Sequence, residues 1–468
     1  MNIAPIGLIT IVLGIACLQF GQKASLYVFL LTSLLGAASA ITLGAGGQIQ
    51  PVHLFLIFLL PYLIFSKNKC ANALEIITFP RPGFWLLSFL IMSVLTAYFY
   101  PRIFEGATNT FALGSSEGGQ TLMLTPLAPG GSNTTQSIYC VANLLCFVVV
   151  VSILDSRRHI VDLQTGFLIY GSANIIFAIL DIATFYSGTE PILLVIRNTS
   201  YVLHVDEISN GLKRIAGSFT EASSFSTATI GVLGYTSVLW LYGVRSVWSG
   251  SVALISLIML LASTSSTAIV CAPVVLGVLY LLALKEAATS RTSQNAKTLV
   301  IALPTLVLFV VFVLAINKSY LDGLNDFLGT LIYEKAQSQS GLERAGWNAA
   351  ALQNFYDTRF LGAGLGSVRA SSFVLALLSN VGVPGSILFL LFLLAVFFRK
   401  SDGADGLSPA RLGAKLGMFG LLLSSAVSGA LVDLGFQFYL FAALACSGSE
   451  LNWPRVRYPE RLSATVRA

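Results

Sequence analysis

The sequence predicts an all-α polytopic integral membrane protein, a single helical bundle of about 13 transmembrane helices with long loops on one face. Three observations carry that prediction. Of 468 residues, 55% are hydrophobic and 10% charged, and mean hydropathy is +0.81. A soluble domain carries about 25% charged residues. The apolar residues gather into runs near the span of about 20 residues that a bilayer requires. Lys and Arg are shared unequally between alternate loops. This composition excludes a soluble globular enzyme, a disordered chain and a nucleic-acid-binding module.

In chain order the apolar runs are 4–20, 24–44, 51–66, 83–100, 137–154, 160–187, 224–243, 249–262, 267–284, 298–316, 372–398, 411–431 and 434–449. The first has neither a basic leader region nor an A-x-A site and reads as a retained span. The 249–262 and 434–449 runs are short and would borrow flanking residues. No pair of interrupted helices recurs in two halves, which weighs against a secondary-transporter repeat. Six cysteines lie far apart, most within apolar runs. With no C-x-x-C or His/Cys cluster, they read as buried, inert thiols.

Orientation follows from the basic residues. One set of loops, with the C-terminal tail, carries 18 Lys and Arg, and the opposite set carries 9. The richer side is expected to be cytoplasmic, which puts the N-terminus outside and the C-terminus inside. The three long loops, 101–136, 188–223 and 317–371, then all fall outside. Long ordered loops are usually functional. Chemistry is expected there, away from cytoplasmic ATP, and the chain contains no P-loop.

The loop 188–223 ends in Lys213-Arg214-Ile215-Ala216-Gly217-Ser218-Phe219-Thr220-Glu221-Ala222-Ser223. The plain reading is a charged loop end with snorkelling side chains. The functional reading is an anion site. Arg214 would grip phosphate oxygens bidentately, and Gly217 would let backbone approach the ligand. Glu221 would orient Arg214 or accept a proton. In loop 317–371, the stretch 341–356 has apolar residues at helical spacing and predicts a short amphipathic helix. Gly362-Ala363-Gly364-Leu365-Gly366-Ser367-Val368-Arg369 follows. It lacks the spacing and context of a dinucleotide fingerprint. It reads either as a flexible turn or as an anion-binding helix N-terminus. Two arginine-bearing loops, each running into a span, together suggest a cradle for a diphosphate.

Other residues give weaker signals. His204, beside Asp206 and Glu207, reads as a loop histidine with base or ligand chemistry as the rival reading. An intramembrane carboxylate is a functional candidate by default, but Asp181 and Asp433 lie near outer span ends, which weakens that reading. Ser263–Thr267 reads as a tight turn between two spans. The sequons at Asn133, Asn198 and Asn317 matter only in a eukaryotic secretory pathway. The basic stretch 399–415 suits a cytoplasmic partner, but the positive-inside rule accounts for it fully.

Arg214-x-x-Gly217-x-Phe219-x-Glu221-x-Ser223 resembles the R-x-x-G-x-F-x-E-P-S stretch of bacterial Wzy-type polysaccharide polymerases, of the O-antigen ligase/polymerase superfamily. Gly362 through Ser372, with Leu378 through Gly385, is similar to their second block, and Arg344 with Trp347 stands where that block opens. Ala222 replaces the usual Pro, and the Ser263–Thr267 turn lacks the Arg often found there. The related O-antigen ligases use a His in the late outer loop. None lies in 317–371, so the resemblance favours polymerase over ligase.

The resemblance implies a GT-C-like glycosyltransferase on the periplasmic face of the bacterial inner membrane. It would transfer a growing glycan from undecaprenyl diphosphate onto a lipid-linked repeat unit. It implies no metal or other cofactor, and no nucleic-acid partner. Membrane lipid, a chain-length regulator and a flippase are the implied partners. Arg214, Arg344 and Arg369 would stabilise the leaving diphosphate. Glu221 would be the general base, with His204 in reserve. Arg359, Gly217, Gly364, Gly366, Ser367, Trp347 and Tyr356 would contact substrate, with aromatic residues including Phe360 stacking on sugars. The rivals are O-antigen ligase, a lipid-linked oligosaccharide flippase or transporter, and a sugar-binding assembly protein without catalysis.

Overall fold

Proline marks where several helices begin. Pro5, Pro51 and Pro82 each open one, a position where a missing N–H costs nothing. The computed structural model describes residues 2–43, 47–116, 119–199, 203–209, 211–289, 294–329, 338–399 and 406–448. Within these, the helices are α1 Pro5–Phe20, α2 Gln22–Thr32, α3 Pro51–Leu56, α4 Leu60–Ile64, α5 Lys67–Ile76, α6 Pro82–Ile103, α7 Gly131–Ile153, α8 Arg157–Ser187 and α9 Ala222–Leu241. They continue with α10 Ser246–Ala262, α11 Ser266–Thr289, α12 Gln294–Ile316, α13 Lys318–Leu328, α14 Gln339–Asp357, α15 Phe373–Phe397, α16 Ser408–Ser428 and α17 Phe436–Cys446. The molecule is a nearly all-α membrane protein.

Helix is found in every one of the expected apolar runs, and the helices differ in length and burial. Seven helices (α6, α7, α8, α11, α12, α15 and α16) are long and apolar enough to cross a membrane. An eighth candidate is the pair Pro51–Ile64 and Lys67–Ile76, bent by 111°. The run 24–44 stops being helix at Thr32, and Ile41–Leu43 is a strand. It pairs with Asn2–Ile3 on one side and Gly47–Ile49 on the other, in a small antiparallel sheet. Helix α17 has 11 residues, all buried. At about 1.5 Å per residue it is too short for a bilayer of about 30 Å. It is apolar because it stands at the centre of the bundle. Helix α12 is the reverse case, with none of its apolar stretch buried against protein.

Aromatic side chains fill the main core. Phe167 stacks on Phe441 with ring centroids 4.3 Å apart, and Tyr235 tilts onto both. Phe389, Phe392, Phe438 and Tyr439 extend the same cluster. A second core joins α9, α10, α11 and α16 through Leu233, Leu260, Val275 and Leu416. At the end opposite the long loops, buried Arg411 donates from Nε to the Ser447 carbonyl at 2.6 Å, and Lys415 donates to those of Phe397 and Arg399. These cations satisfy helix C-terminal carbonyls.

The described parts of the long loops are structured. Loop 101–136 folds as a hairpin, Asn109–Ser116 with Gly119–Pro126. Loop 317–371 contains α13 and the expected amphipathic helix, α14. The two dock together. Asn354 donates to the Thr108 hydroxyl at 2.8 Å and to the Asn109 carbonyl at 2.7 Å, and Thr108 donates to Asp357 at 2.6 Å. Among the described cysteines none forms a disulfide. Cys17, Cys146, Cys271 and Cys446 are buried as expected, whereas Cys70 is exposed.

Candidate functional site at the loop-rich end

The loop 188–223 is built around Asp181, one of the last residues of α8. Its carboxylate takes Arg197 Nη2 at 2.6 Å and Lys213 Nζ at 3.0 Å through Oδ1. Through Oδ2 it accepts the backbone N–H groups of Ala216 and Gly217 at 2.8 and 2.9 Å. Arg197 Nε also donates to the Gly217 carbonyl at 3.1 Å. All three charged side chains are buried. Gly217 has φ 60° and both of its backbone polar groups are taken up in this clamp. Its freedom therefore serves a closed turn, in place of the expected approach to a ligand.

The clamp fixes the residue beside it. Arg214 Nη1 donates to Glu207 Oε2, and Glu207 Oε1 meets His204 Nδ1 at 3.0 Å. Arg214 Nε is buried without a hydrogen-bond partner. The orienting carboxylate of Arg214 is thus Glu207, not the expected Glu221. Glu221 is the N-cap residue of α9 and accepts the Ser223 hydroxyl. His204 pairs with it through backbone, its N–H bonding the Thr220 carbonyl at 3.0 Å. Arg214, Glu207 and His204 therefore form one exposed-to-half-buried cluster on a buried base, with Glu221 linked to it through the backbone of His204.

The second block is built differently. Helix α15 breaks at Gly382, whose φ is 66°. The break frees the carbonyls of Ser379 and Asn380, which accept the N–H groups of Ala363 and Gly364 at 2.7 and 2.9 Å. Asn380 also brackets Val368, accepting its N–H at 3.2 Å and donating to its carbonyl at 2.8 Å. Asn133 donates to the Leu365 carbonyl and the Ser367 hydroxyl at 2.7 and 2.8 Å, and Ser132 donates to the Gly366 carbonyl. A Cβ on Gly364 would sit 2.7 Å from the Thr96 carbonyl oxygen, and one on Gly366 would sit 2.6 Å from that of Ser132. These glycines admit neighbouring backbone. The expected anion-binding N–H groups of Ala363, Gly364 and Val368 are already engaged within the protein.

The other expected site residues lie around this loop. Arg359 has φ 54°, and its side chain is exposed. Tyr356 and Phe360 are about half exposed and pack edge to face at 5.7 Å, with Phe355 beneath. Arg344, Trp347 and Arg369 are partly buried. Asn348 on α14 accepts the Ser371 N–H at 2.7 Å, which ties that helix to the arginine-bearing loop. The bonds that place Arg214 run to α8 and loop 188–223. Those that place the Gly362–Ser372 segment run to α6, α7, α14 and α15.

No protein-family model matches the chain, and no curated protein matches it. The geometry therefore stands on its own. It is an arginine paired with a carboxylate beside a buried clamp, and a second arginine-bearing loop wedged into a broken helix. Among the described residues no group of three His, Cys, Asp or Glu side chains is placed to hold a metal ion.

Two residues of this end, Arg197 and His53, escaped the sequence reading, and the roles of Asp181 and Glu207 were not seen in it. Arg197 stands 16 residues from Asp181, and Glu207 stands as near to Arg214 as Glu221 does, so only the fold settles these pairings. Asp181 carried the signal of an ionisable group inside an apolar run. His53 carried none, standing within a run that reads as a span. Its ring lies 4.6 Å from that of Tyr139 and 4.7 Å from that of Phe436.

Proposed function

We propose that the chain is a polysaccharide polymerase working on lipid-diphosphate-linked glycans at the outer face of a bacterial inner membrane. In this reading the bundle has about 13 membrane-associated helices, with an external N-terminus. The observation that carries the proposal is the buried Asp181–Arg197–Lys213 clamp presenting Arg214 with Glu207 and His204. A lipid-diphosphate leaving group is already activated. The protein must meet the negative charge that grows as the anomeric bond breaks, and preorganised guanidinium groups do so. Rigid support beneath them avoids reorganisation at the moment of reaction.

The acceptor hydroxyl attacks the anomeric carbon of the donor, and the diphosphate departs. Arg214, Arg344 and Arg369 bear on the departing oxygens, with Arg359 at the rim. Glu221 takes the acceptor proton, with His204 next to it. Tyr356, Phe360 and Trp347 offer faces for sugar rings. The second reading, O-antigen ligase, shares this chemistry but takes a different acceptor.

The test is release of the lipid diphosphate from a defined lipid-linked repeat by purified protein. Wild type is expected to release it, and Arg214→Ala to lose about 100-fold or more, the scale of one oxyanion donor. Release by a well-folded Arg214→Ala at the wild-type rate would remove the clamp from the mechanism.

A further inference from the structure

Beneath the glycine loop lies a small polar cavity inside the apolar bundle. It measures about 10 Å³ and is lined by Gln136, Cys140 and Asn143 of α7, by Asp433 and Val432 of the α16–α17 turn, and by Tyr439, Phe89 and Leu365. That is room for one water-sized occupant. Asn143 is 3% exposed. Its Nδ2 donates to Asp433 Oδ1 at 2.9 Å, while its Oδ1 is buried with no hydrogen-bond partner. The Gly435 N–H also donates to Asp433 Oδ1, at 2.8 Å.

Two deficits meet here. Asp433 makes no salt bridge among the described residues, unlike Asp181 with its two cations. Asp433 is partly buried, and a partly desolvated carboxylate without a counter-charge favours a bound cation. Asn143 adds an acceptor that nothing satisfies, and such an atom calls for an unseen occupant. Among the described residues His53 makes no hydrogen bond or salt bridge to Asp433. Both of its ring nitrogens are buried without partners, and a further N–H would be a further unsatisfied donor.

We propose that this cavity binds one monovalent metal cation, Na⁺ by size. The Asp433 carboxylate and Asn143 Oδ1 are its anchoring ligands, with the Gln136 amide and Tyr439 hydroxyl at its edge. Oxygen donors suit a hard cation. A single carboxylate sets the charge. A monovalent ion leaves the site neutral, whereas a divalent ion leaves an unbalanced positive charge in low dielectric. The occupant ties α7 to the α16–α17 turn, directly under Leu365 of the glycine loop. The inference is independent of the glycan chemistry, because the ion can be assayed without any substrate.

The test is equilibrium binding of ²²Na⁺ to the purified full-length protein, exchanged into choline chloride at constant ionic strength and pH. One saturable site per chain is expected. Asp433→Asn and Asn143→Leu, both checked for a monodisperse elution profile, are expected to weaken binding at least tenfold. Na⁺ is also expected to raise the thermal unfolding midpoint of wild type and not of Asp433→Asn. If Asn143→Leu fails to fold, Gln136→Leu at the edge of the cavity replaces it, with weakened binding expected. Absence of saturable binding to intact wild type would overturn the proposal, as would wild-type affinity in Asp433→Asn. A midpoint that follows pH and ignores Na⁺ would do the same, since the occupant would then be water or a proton.

Discussion

Asp181 shows how one buried side chain organises a loop of the site. It balances two cations and two backbone N–H groups at the end of α8. Removing one partner of a buried ion pair costs about 3–5 kcal/mol, because the other charge stays behind unpaired. Asp181→Asn is therefore expected to lower the thermal midpoint sharply and to loosen loop 188–223 towards limited proteolysis. Arg214→Lys probes the next residue outward. It keeps the charge but loses the planar fork, so unfolding is expected to stay near wild type while diphosphate release falls. Sequence reading reached Arg214 and Glu221 through their motif and set Asp181 aside because it lies near a span end. It paired Arg214 with Glu221, although Glu207 lies equally near along the chain. The fold chose Glu207, because the short hairpin Ile208–Ser209 with Leu212–Lys213 returns the chain there.

At the scale of elements, the glycine loop and the break in α15 are one device. The break at Gly382 releases carbonyls, and the loop 362–368 uses them. A Cβ on Gly382 would lie 2.2 Å from the Leu361 carbonyl oxygen. Gly364→Ala and Gly382→Ala are expected to abolish monodisperse protein. Gly277→Ala, in open space on α11, is expected to express and unfold as wild type. The latch between α14 and the 109–126 hairpin gives another prediction. Asn354→Ala removes donors to Thr108 and Asn109, so hydrogen exchange is expected to quicken in both elements and to stay slow in α7 and α8.

Helix positions were legible from apolar periodicity, since all of the runs contain helix. Span number was not. Hydropathy does not separate a helix that faces lipid, such as α12, from one enclosed by protein, such as α17. The break in α15 was also hidden, since Val381-Gly382-Val383-Pro384 sits inside an otherwise continuous apolar run.

At the scale of the whole molecule, the three long loops belong to structured parts of the bundle. Loops 101–136 and 317–371 latch together, and loop 188–223 seats on the turn between α2 and the strand Ile41–Leu43, where the Ser218 hydroxyl donates to the Leu34 carbonyl at 2.6 Å. Orientation is testable by cysteine scanning in a Cys70→Ser background. An impermeant thiol reagent applied to right-side-out cells opened at the outer membrane is expected to label Glu105→Cys and Thr189→Cys and to spare Asp155→Cys. The opposite pattern would place the candidate site in the cytoplasm. The central claim is tested most directly by polymerisation in vitro. Purified protein in nanodiscs would receive a defined lipid-linked repeat with EDTA present, beside Arg214→Ala, Arg369→Ala and Glu221→Gln. The account predicts a ladder of lengthening lipid-linked products from wild type, lost in the folded arginine variants and strongly reduced in Glu221→Gln. A ladder that survives all three substitutions would contradict the assigned site.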